Sequence, residues 1–264
     1  MRIFIITMDD PVQTKDFIRH IIDARFNDIT GVAVSKGDRL TLSKGKSKNA
    51  YVLSLLLIMG PWHFIKNAFV SITHKSKKIG FSLGLLQDPS ILGYAGKRGI
   101  PVFRVKSPNN KKFLEELRAL RPDIIINQSQ SILKRELLEI PSIGVLNRHN
   151  ALLPKNRGRL TPFWVLYKEE TETGVSIHFV EEGLDNGKIV VQEKYLVDKR
   201  DGFNKIVKKN YRIAPQAMLK ALQLLESGDA ELMDNNDSDA TYNTTPTLKE
   251  ALRYRMRRIK RIFT

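Results

Sequence analysis

Asn147 and His149 stand two residues apart in the segment VLNRHN. On an extended chain the side chains at i and i+2 share a face, so both can enter one cleft. The asparagine supplies an amide donor, and the histidine a donor that can become cationic near neutral pH. Such a pair suits an oxyanion developing at a carbonyl carbon, whose stabilisation is often the largest catalytic contribution in acyl transfer. A base is then needed. The turn EEGLDNG supplies Asp185, set between Gly183 and Gly187, whose freedom lets the backbone approach a ligand. A carboxylate close to the histidine favours its charged form and can help take a proton from an attacking amine. Taken alone, an Asn-x-His and a distant Asp are more often a solvated loop with a surface histidine. No Ser or Cys stands beside His149, which weakens a covalent acyl-enzyme. A metal site built on His149, His178 and Asp185 is weaker still, because VSIHF aims His178 into a sheet, where a hydrogen-bonded core histidine is commoner.

Positioning such residues requires a folded core, and the composition allows one. The chain has 264 residues, 42% of them hydrophobic. It contains no cysteine, which excludes disulfides and thiolate metal sites and fits a reducing compartment. The opening MRIFIITMDD turns acidic after seven residues, too early for a secretory signal. Lys and Arg number 44 against 28 Asp and Glu, a net charge of +16. That excess attracts nucleic acid, phosphorylated substrates or acidic lipid headgroups without choosing among them. Six of the basic residues lie in LRYRMRRIKRIF, 252–263.

RIFIIT reads as a buried strand, VQTKDFIRHIIDARF as an amphipathic helix and DITGVAVSKG as a second strand, the order of a parallel sheet with right-handed crossovers. The first strand–helix loop, TMDDP, has no glycine, so a dinucleotide fingerprint is absent. Residues 51–72 are the most hydrophobic region. Their apolar run is only about half the roughly 20 residues a spanning helix needs, which predicts two helices broken at Gly60–Pro61. These either pack on the sheet or lie against a membrane surface, given the basic flanks SKGKSKN and THKSKK. From Ser90 onward helices and strands alternate regularly, with strands predicted at Asp123–Asn127 and across SIGVLNRHN. The fold class is therefore α/β, a doubly wound and mostly parallel sheet, with Asn147 at a strand's C-terminal end, where such sheets bind ligands. TGVSIHFVEEGLDNGKIVVQEKYLV pairs as two strands around Asp185–Gly187. A long amphipathic helix and an irregular, polar DAELMDNNDSDATYNTTPT precede a basic terminal helix. The expected organisation is a catalytic core over 1–200, with an insertion at about 41–85, and a helical extension over 201–264.

The stretch from Asn147 to Gln192 resembles the folate-dependent formyltransferases, which include the methionyl-tRNA, glycinamide ribonucleotide and sugar N-formyltransferases. Their pattern is Asn-x-His-x-Ser-Leu-Leu-Pro, a glycine-bearing loop, Thr-Gly-Val-Thr-Ile-His, and a turn ending Asp-x-Gly before a strand closed by Gln. The chain supplies Asn147, His149, Leu152, Leu153, Pro154, Gly158, Thr173, Gly174, Val175, Ile177, His178, Asp185, Gly187 and Gln192. The likeness is good over 90–192, thinner over 1–40 and absent over 41–85. It implies a Rossmann-like formyltransferase fold and an enzyme that uses 10-formyltetrahydrofolate as cosubstrate, with no metal. Asn147, His149 and Asp185 would be catalytic. The folate would lie against Gln130, Ser131, Ile132 and Leu133 and against Glu181, Glu182 and Gly183. The Leu153–Pro154 bond is expected to be cis, because the turn must reverse sharply. Arg148, Asn150 and Ala151 depart from the pattern, and NQSQS is more polar than the usual loop.

The features around this core look most like sugar N-formyltransferases acting on nucleotide-linked amino sugars in surface-glycan synthesis. The segment after Gln192 reads as helical, unlike the β-barrel domain of methionyl-tRNA formyltransferases. Lys155 and Arg157 are either neighbours of an anionic diphosphate or simply solvated. Tyr242 either stacks on the nucleotide base or caps the core. Other readings are a methionyl-tRNA formyltransferase-like enzyme, a 10-formyltetrahydrofolate hydrolase, or a non-catalytic binder of membrane or RNA. The expected partner is the nucleotide-linked amino sugar, with no nucleic acid, peripheral membrane contact through the basic C-terminal segment, and room for a homodimer. The expected location is the cytoplasm, extending to the inner membrane surface.

Overall fold

The computed structural model describes residues 1–35 and 47–260. Strand β1 (Ile3–Met8) is buried along its whole length, as a central parallel strand must be. Helix α1 (Thr14–Ala24) follows; the Asp10 carboxylate accepts from the backbone N–H groups of Val12, Gln13 and Thr14 at its start. β2 (Ile29–Ser35) pairs parallel with β1. Helices α2 (Lys48–Met59) and α3 (Pro61–Ser82) are bent by 120° about Gly60, whose φ of +80° leads into Pro61 at the first helical position. That is the break the sequence predicts. Then come α4 (Ile91–Gly96), β3 (Val102–Val105), α5 (Lys111–Ala119), capped by Asn110, and β4 (Ile124–Gln128).

After the short α6 (Arg135–Leu138), β5 (Gly144–His149) carries the Asn-x-His. β6 (Arg157–Gly158) and α7 (Thr161–Tyr167) lead into the hairpin of β7 (Glu172–Phe179) and β8 (Ile189–Leu196). The chain closes with α8 (Phe203–Ser227), β9 (Tyr242–Asn243) and α9 (Leu248–Lys260).

The main sheet has seven strands in the order β3-β2-β1-β4-β5-β7-β8. Its first five are parallel, and β7 and β8 add antiparallel at one side. The sheet is doubly wound, as the strand–helix alternation predicts. Side chains alternate across it: Ile3, Ile5 and Leu146 pack with α1 and α8, whereas Phe4, Ile6 and Val145 pack with α5. Asn147 and His149 continue the Val145 face, while Arg148 points the other way, toward Phe17 and Tyr211. A small parallel sheet, β6 with β9, brings the basic loop against residues 241–243. α2 packs on α9, joining Ile58, Phe163, Trp164, Phe203, Ala251 and Tyr254 in a separate apolar cluster.

Candidate active site

Asn147 lies near the C-terminal end of β5, the last of its residues to pair with β4, beside Asn127 on one side and His178 of β7 on the other. Its amide is fixed at both ends. Gln128 Nε2 donates to Asn147 Oδ1 at 3.0 Å, and Asn147 Nδ2 lies 3.2 Å from His178 Nε2. His178 Nδ1 donates to the Phe179 carbonyl at 2.7 Å, so Nε2 offers a lone pair to the asparagine. Burial pushes the His178 imidazole down to about 4, against the pull of Asp185, which keeps this ring neutral at physiological pH. Asn147 thus uses one N–H on His178 and has a second for a ligand.

His149 is buried, and its Nε2 donates to the Asn156 carbonyl at 2.8 Å. Asn156 is itself held by Thr241, Glu170, Lys168 and Asn243. Nδ1 is therefore the nitrogen at which His149 can hold or release a proton, and it faces Asp185 Oδ2 at 3.6 Å. Asp185 Oδ1 is 3.8 Å from His178 Nε2, and Oδ2 accepts from the Gly158 N–H at 2.9 Å. Asp185 adopts φ +51°, a left-handed conformation that Asp tolerates better than most residues and that often marks a functional turn. Asn235 holds the turn in that shape, donating to the carbonyls of Asp185 (2.8 Å) and Gly187 (2.9 Å). The structure therefore brings Asn147, His149 and Asp185 together.

Two cavities meet at these residues. One, of about 640 Å³, is lined by Gln130, Ser131, Ile132, Leu133, Glu181, Glu182 and Gly183, with Asn147, His178 and Asp185 at its inner end. All seven residues expected to face a folate surround this one cavity. The other, of about 380 Å³, shares Ser129, Gln130, Asn147 and Asp185 with the first. Tyr51, Leu55 and Met59 of α2, Arg148, Arg159 and Tyr211 contribute to its wall.

The expected substrate-facing basic pair is not there. Arg157 is fully buried: its guanidinium donates to Asp237, to the Tyr242 hydroxyl, and to the carbonyl and side chain of Asn235. A guanidinium committed in this way props Asn235, and through it the Asp185 turn, instead of meeting a diphosphate. Lys155 is exposed and lines neither cavity. Tyr242 also lies outside both, with its hydroxyl on Arg157. Arg159, two residues further on, is the basic loop residue that reaches the smaller cavity.

Sequence reasoning missed a chain of support behind Asn147. Arg148 Nε donates to Gln128 Oε1 at 3.0 Å, Arg148 Nη2 donates to the Tyr211 hydroxyl at 2.9 Å, and the guanidinium stacks over the Phe17 and Tyr211 rings. The signal was present in the sequence: an arginine at an inward-facing position of an otherwise apolar strand needs internal partners. The LLP turn is clasped by Ser176 and Gln192, which hold the backbone of Ala151 and Leu153, and the Leu153–Pro154 bond is cis, as expected.

Residues 42–222 match the family described as Formyl transferase. The chain is 34% identical over 170 residues to the methionyl-tRNA formyltransferase of Kosmotoga olearia, covering 64% of this chain and 55% of that one. With the same enzyme of Thermotoga maritima it is 34% identical over 192 residues, 71% of this chain and 60% of the other. The chain thus spans little more than half the length of these relatives. Among solved structures, a glycinamide ribonucleotide transformylase from Symbiobacterium toebii superposes with a TM-score of 0.60 at 15% identity, over 89% of this chain and 94% of the other. The N-formyltransferase from Helicobacter canadensis, in complex with folinic acid and dTDP-3-aminofucose, gives 0.59 at 18% identity, over 92% and 71%. The matched family covers well over half of the residues, the sheet has the same fold, and the chain belongs to the formyl transferase family.

Proposed function

We propose that this protein transfers the formyl group of 10-formyltetrahydrofolate to the amine of a nucleotide-linked amino sugar. The observation that carries the reading is the meeting of two cavities at Asn147 and Asp185, one for each substrate. The larger cavity suits a folate: Leu133, Val180 and Leu184 give apolar wall, while Asn147 and His178 close its inner end with polar atoms. When bound there, the folate supplies the formyl carbon. Asn147 directs its remaining N–H toward the charge that grows on the formyl oxygen as the amine attacks. His149 and Asp185 flank the same point from the other cavity. The Nδ1–Asp185 pair takes up the proton that the amine loses on forming its bond to carbon; as the bond from the formyl carbon to the folate nitrogen breaks, that proton passes to the nitrogen and tetrahydrofolate leaves. Gln128 and His178 hold Asn147 still, so no reorganisation is required as charge develops.

The smaller cavity supports a sugar nucleotide as acceptor. Tyr51 offers an aromatic ring and Arg159 positive charge at its wall, the chemistry that suits a base, a sugar and a diphosphate. The methionyl-tRNA reading is favoured by the identity to the Kosmotoga and Thermotoga enzymes. The two separate in one assay: tetrahydrofolate release from 10-formyltetrahydrofolate, measured with UDP-, dTDP- and GDP-linked amino sugars, with initiator methionyl-tRNA, and without acceptor. Release with an amino sugar supports the proposal. Release only with tRNA replaces the acceptor, and release without acceptor makes the protein a hydrolase.

A further inference from the structure

Helix α3 carries its polarity inside out. Trp62, Ile65, Phe69, Ile72 and Ile79 recur at spacings of three, four, three and seven, which places them on one stripe. All five are exposed, Trp62 at 74% and Phe69 at 66%. Just beyond the helix, Leu83, Leu85 and Leu86 are exposed as well. The side turned toward the body is polar instead. Asn67 Nδ2 reaches Met59 Sδ, and His74 and Lys78 both engage the Asp9 carboxylate, at 3.2 Å and 2.5 Å. A helix that packs on a protein core presents the opposite arrangement.

The charge of the region narrows what covers that stripe. Residues 47–87 contain five lysines (Lys48, Lys66, Lys75, Lys77 and Lys78) and no Asp or Glu. Lys66, Lys75 and Lys77 are exposed alongside the apolar stripe. We propose that α3 docks this protein on a bilayer surface containing anionic lipids, with the Trp62–Ile79 stripe in the interface and the lysines among the headgroups. A second copy of the chain would bring the same lysines and no acidic residue from this segment to pair with them, whereas anionic headgroups supply the missing charge. An apolar face with Trp and Phe, flanked by lysines, is the pattern of a helix lying in the interfacial plane, and tryptophan anchors at that depth.

The geometry favours lying on the membrane over crossing it. Among the described residues no single helix is long and apolar enough to span, and the α2–α3 pair that together passes by length is bent by 120°. α2 is also held in the body by its packing on α9. No residue of α3 lines either cavity, so the proposal stands independently of the catalytic reading. Yet only Gly60 separates α3 from Met59, which lines the smaller cavity.

The test is co-sedimentation of the full-length protein with vesicles of phosphatidylcholine alone and of phosphatidylcholine with phosphatidylglycerol. The protein should pellet with the anionic vesicles and much less with the neutral ones, and rising salt should weaken the binding. Phe69→Glu with Ile72→Glu should reduce vesicle binding by about tenfold or more, with its thermal melt and tetrahydrofolate-release rate unchanged. Lys66→Glu with Lys77→Glu, which leaves the apolar stripe intact, should remove the preference for anionic vesicles. Failure of the unaltered protein to pellet would overturn the proposal, as would equal pelleting by the Glu-substituted stripe. A dimer in solution that the stripe substitutions dissociate, with no vesicle binding, would assign the face to a second copy instead.

Discussion

Arg148 Nε donates to Gln128 Oε1 at 3.0 Å, and Gln128 in turn donates to Asn147 Oδ1, so the residue beside Asn147 in the chain sets its amide through a neighbouring strand. The β4–β5 pairing makes this possible by placing the ends of the two strands side by side. Arg148→Met keeps most of the side chain's volume and removes its charged hydrogen bond. We expect turnover to fall about tenfold with folate affinity little changed, the size of one charge-assisted hydrogen bond. Combined with Gln128→Ala, it should cost scarcely more than the larger single change, because both act on the same amide. A double-mutant cycle on kcat checks this, and simple additivity would refute the chain of contacts.

Asn235 supports the other half of the site. Asn235→Ala leaves the carbonyls of Asp185 and Gly187 without this donor and removes one acceptor of the buried Arg157, Asn235 Oδ1, while the bond to the Asn235 carbonyl stays. A loss of about 2 kcal/mol is expected, or roughly 5 °C in Tm for a chain of this size, together with a fall in kcat as Asp185 shifts. Calorimetry and steady-state kinetics on the same preparation measure both. A variant as stable and as active as the parent would show that the turn holds itself.

His178 should leave a mark on stability against pH. Its pKa is about 4 in the folded protein against 6.5 for an ordinary histidine, so the folded state prefers the neutral ring. The sign follows: this stability is complete above about pH 6.5 and is lost as pH falls toward 4, because the unfolded chain binds the proton first. The fully buried ring bounds the effect at about 3 kcal/mol. His178→Gln keeps an acceptor for Asn147 and removes the titration. Urea unfolding at pH 7.5 and pH 5 should therefore show a smaller acid loss in the variant than in the parent, and an equal loss would contradict the assignment.

The two cavities should be separable by mutation. Ile132→Asp, on the rim of the larger cavity, should weaken folate binding about tenfold and leave acceptor affinity unchanged. Tyr51→Ala, on the wall of the smaller, should raise the acceptor KM by a similar factor without changing folate affinity. Folate titration by fluorescence and acceptor saturation curves distinguish them. Both affinities moving together in either variant would argue against two sites.

Much of this arrangement was legible in the sequence because it rests on local pattern. The period-2 spacing of Asn147 and His149 puts both on one face, the helix–strand alternation requires a parallel sheet, and Gly60–Pro61 breaks a hydrophobic run too short to span. What was not legible depends on register and on contacts distant along the chain. His178 reads as a core residue until β5 and β7 pair Asn147 directly opposite it. Arg157 reads as a loop cation facing a diphosphate or solvent until β9 folds beside β6 and Asn235 arrives from 78 residues away. The polar DAELMDNNDSDATYNTTPT segment gives no periodic signal, yet it supplies Asn235, which holds the Asp185 turn.

The most direct test of the account is mass-spectrometric detection of the formylated acceptor after incubation with 10-formyltetrahydrofolate and an amino-sugar nucleotide that supports tetrahydrofolate release. It should be run on the parent protein and on Asn147→Ala, His149→Ala and Asp185→Ala. The account predicts a product heavier by one formyl group in the parent, and rates lower by about 10²–10³-fold in each variant while folate still binds. No formylated product with any acceptor, or a full rate in any one of the three variants, would contradict it.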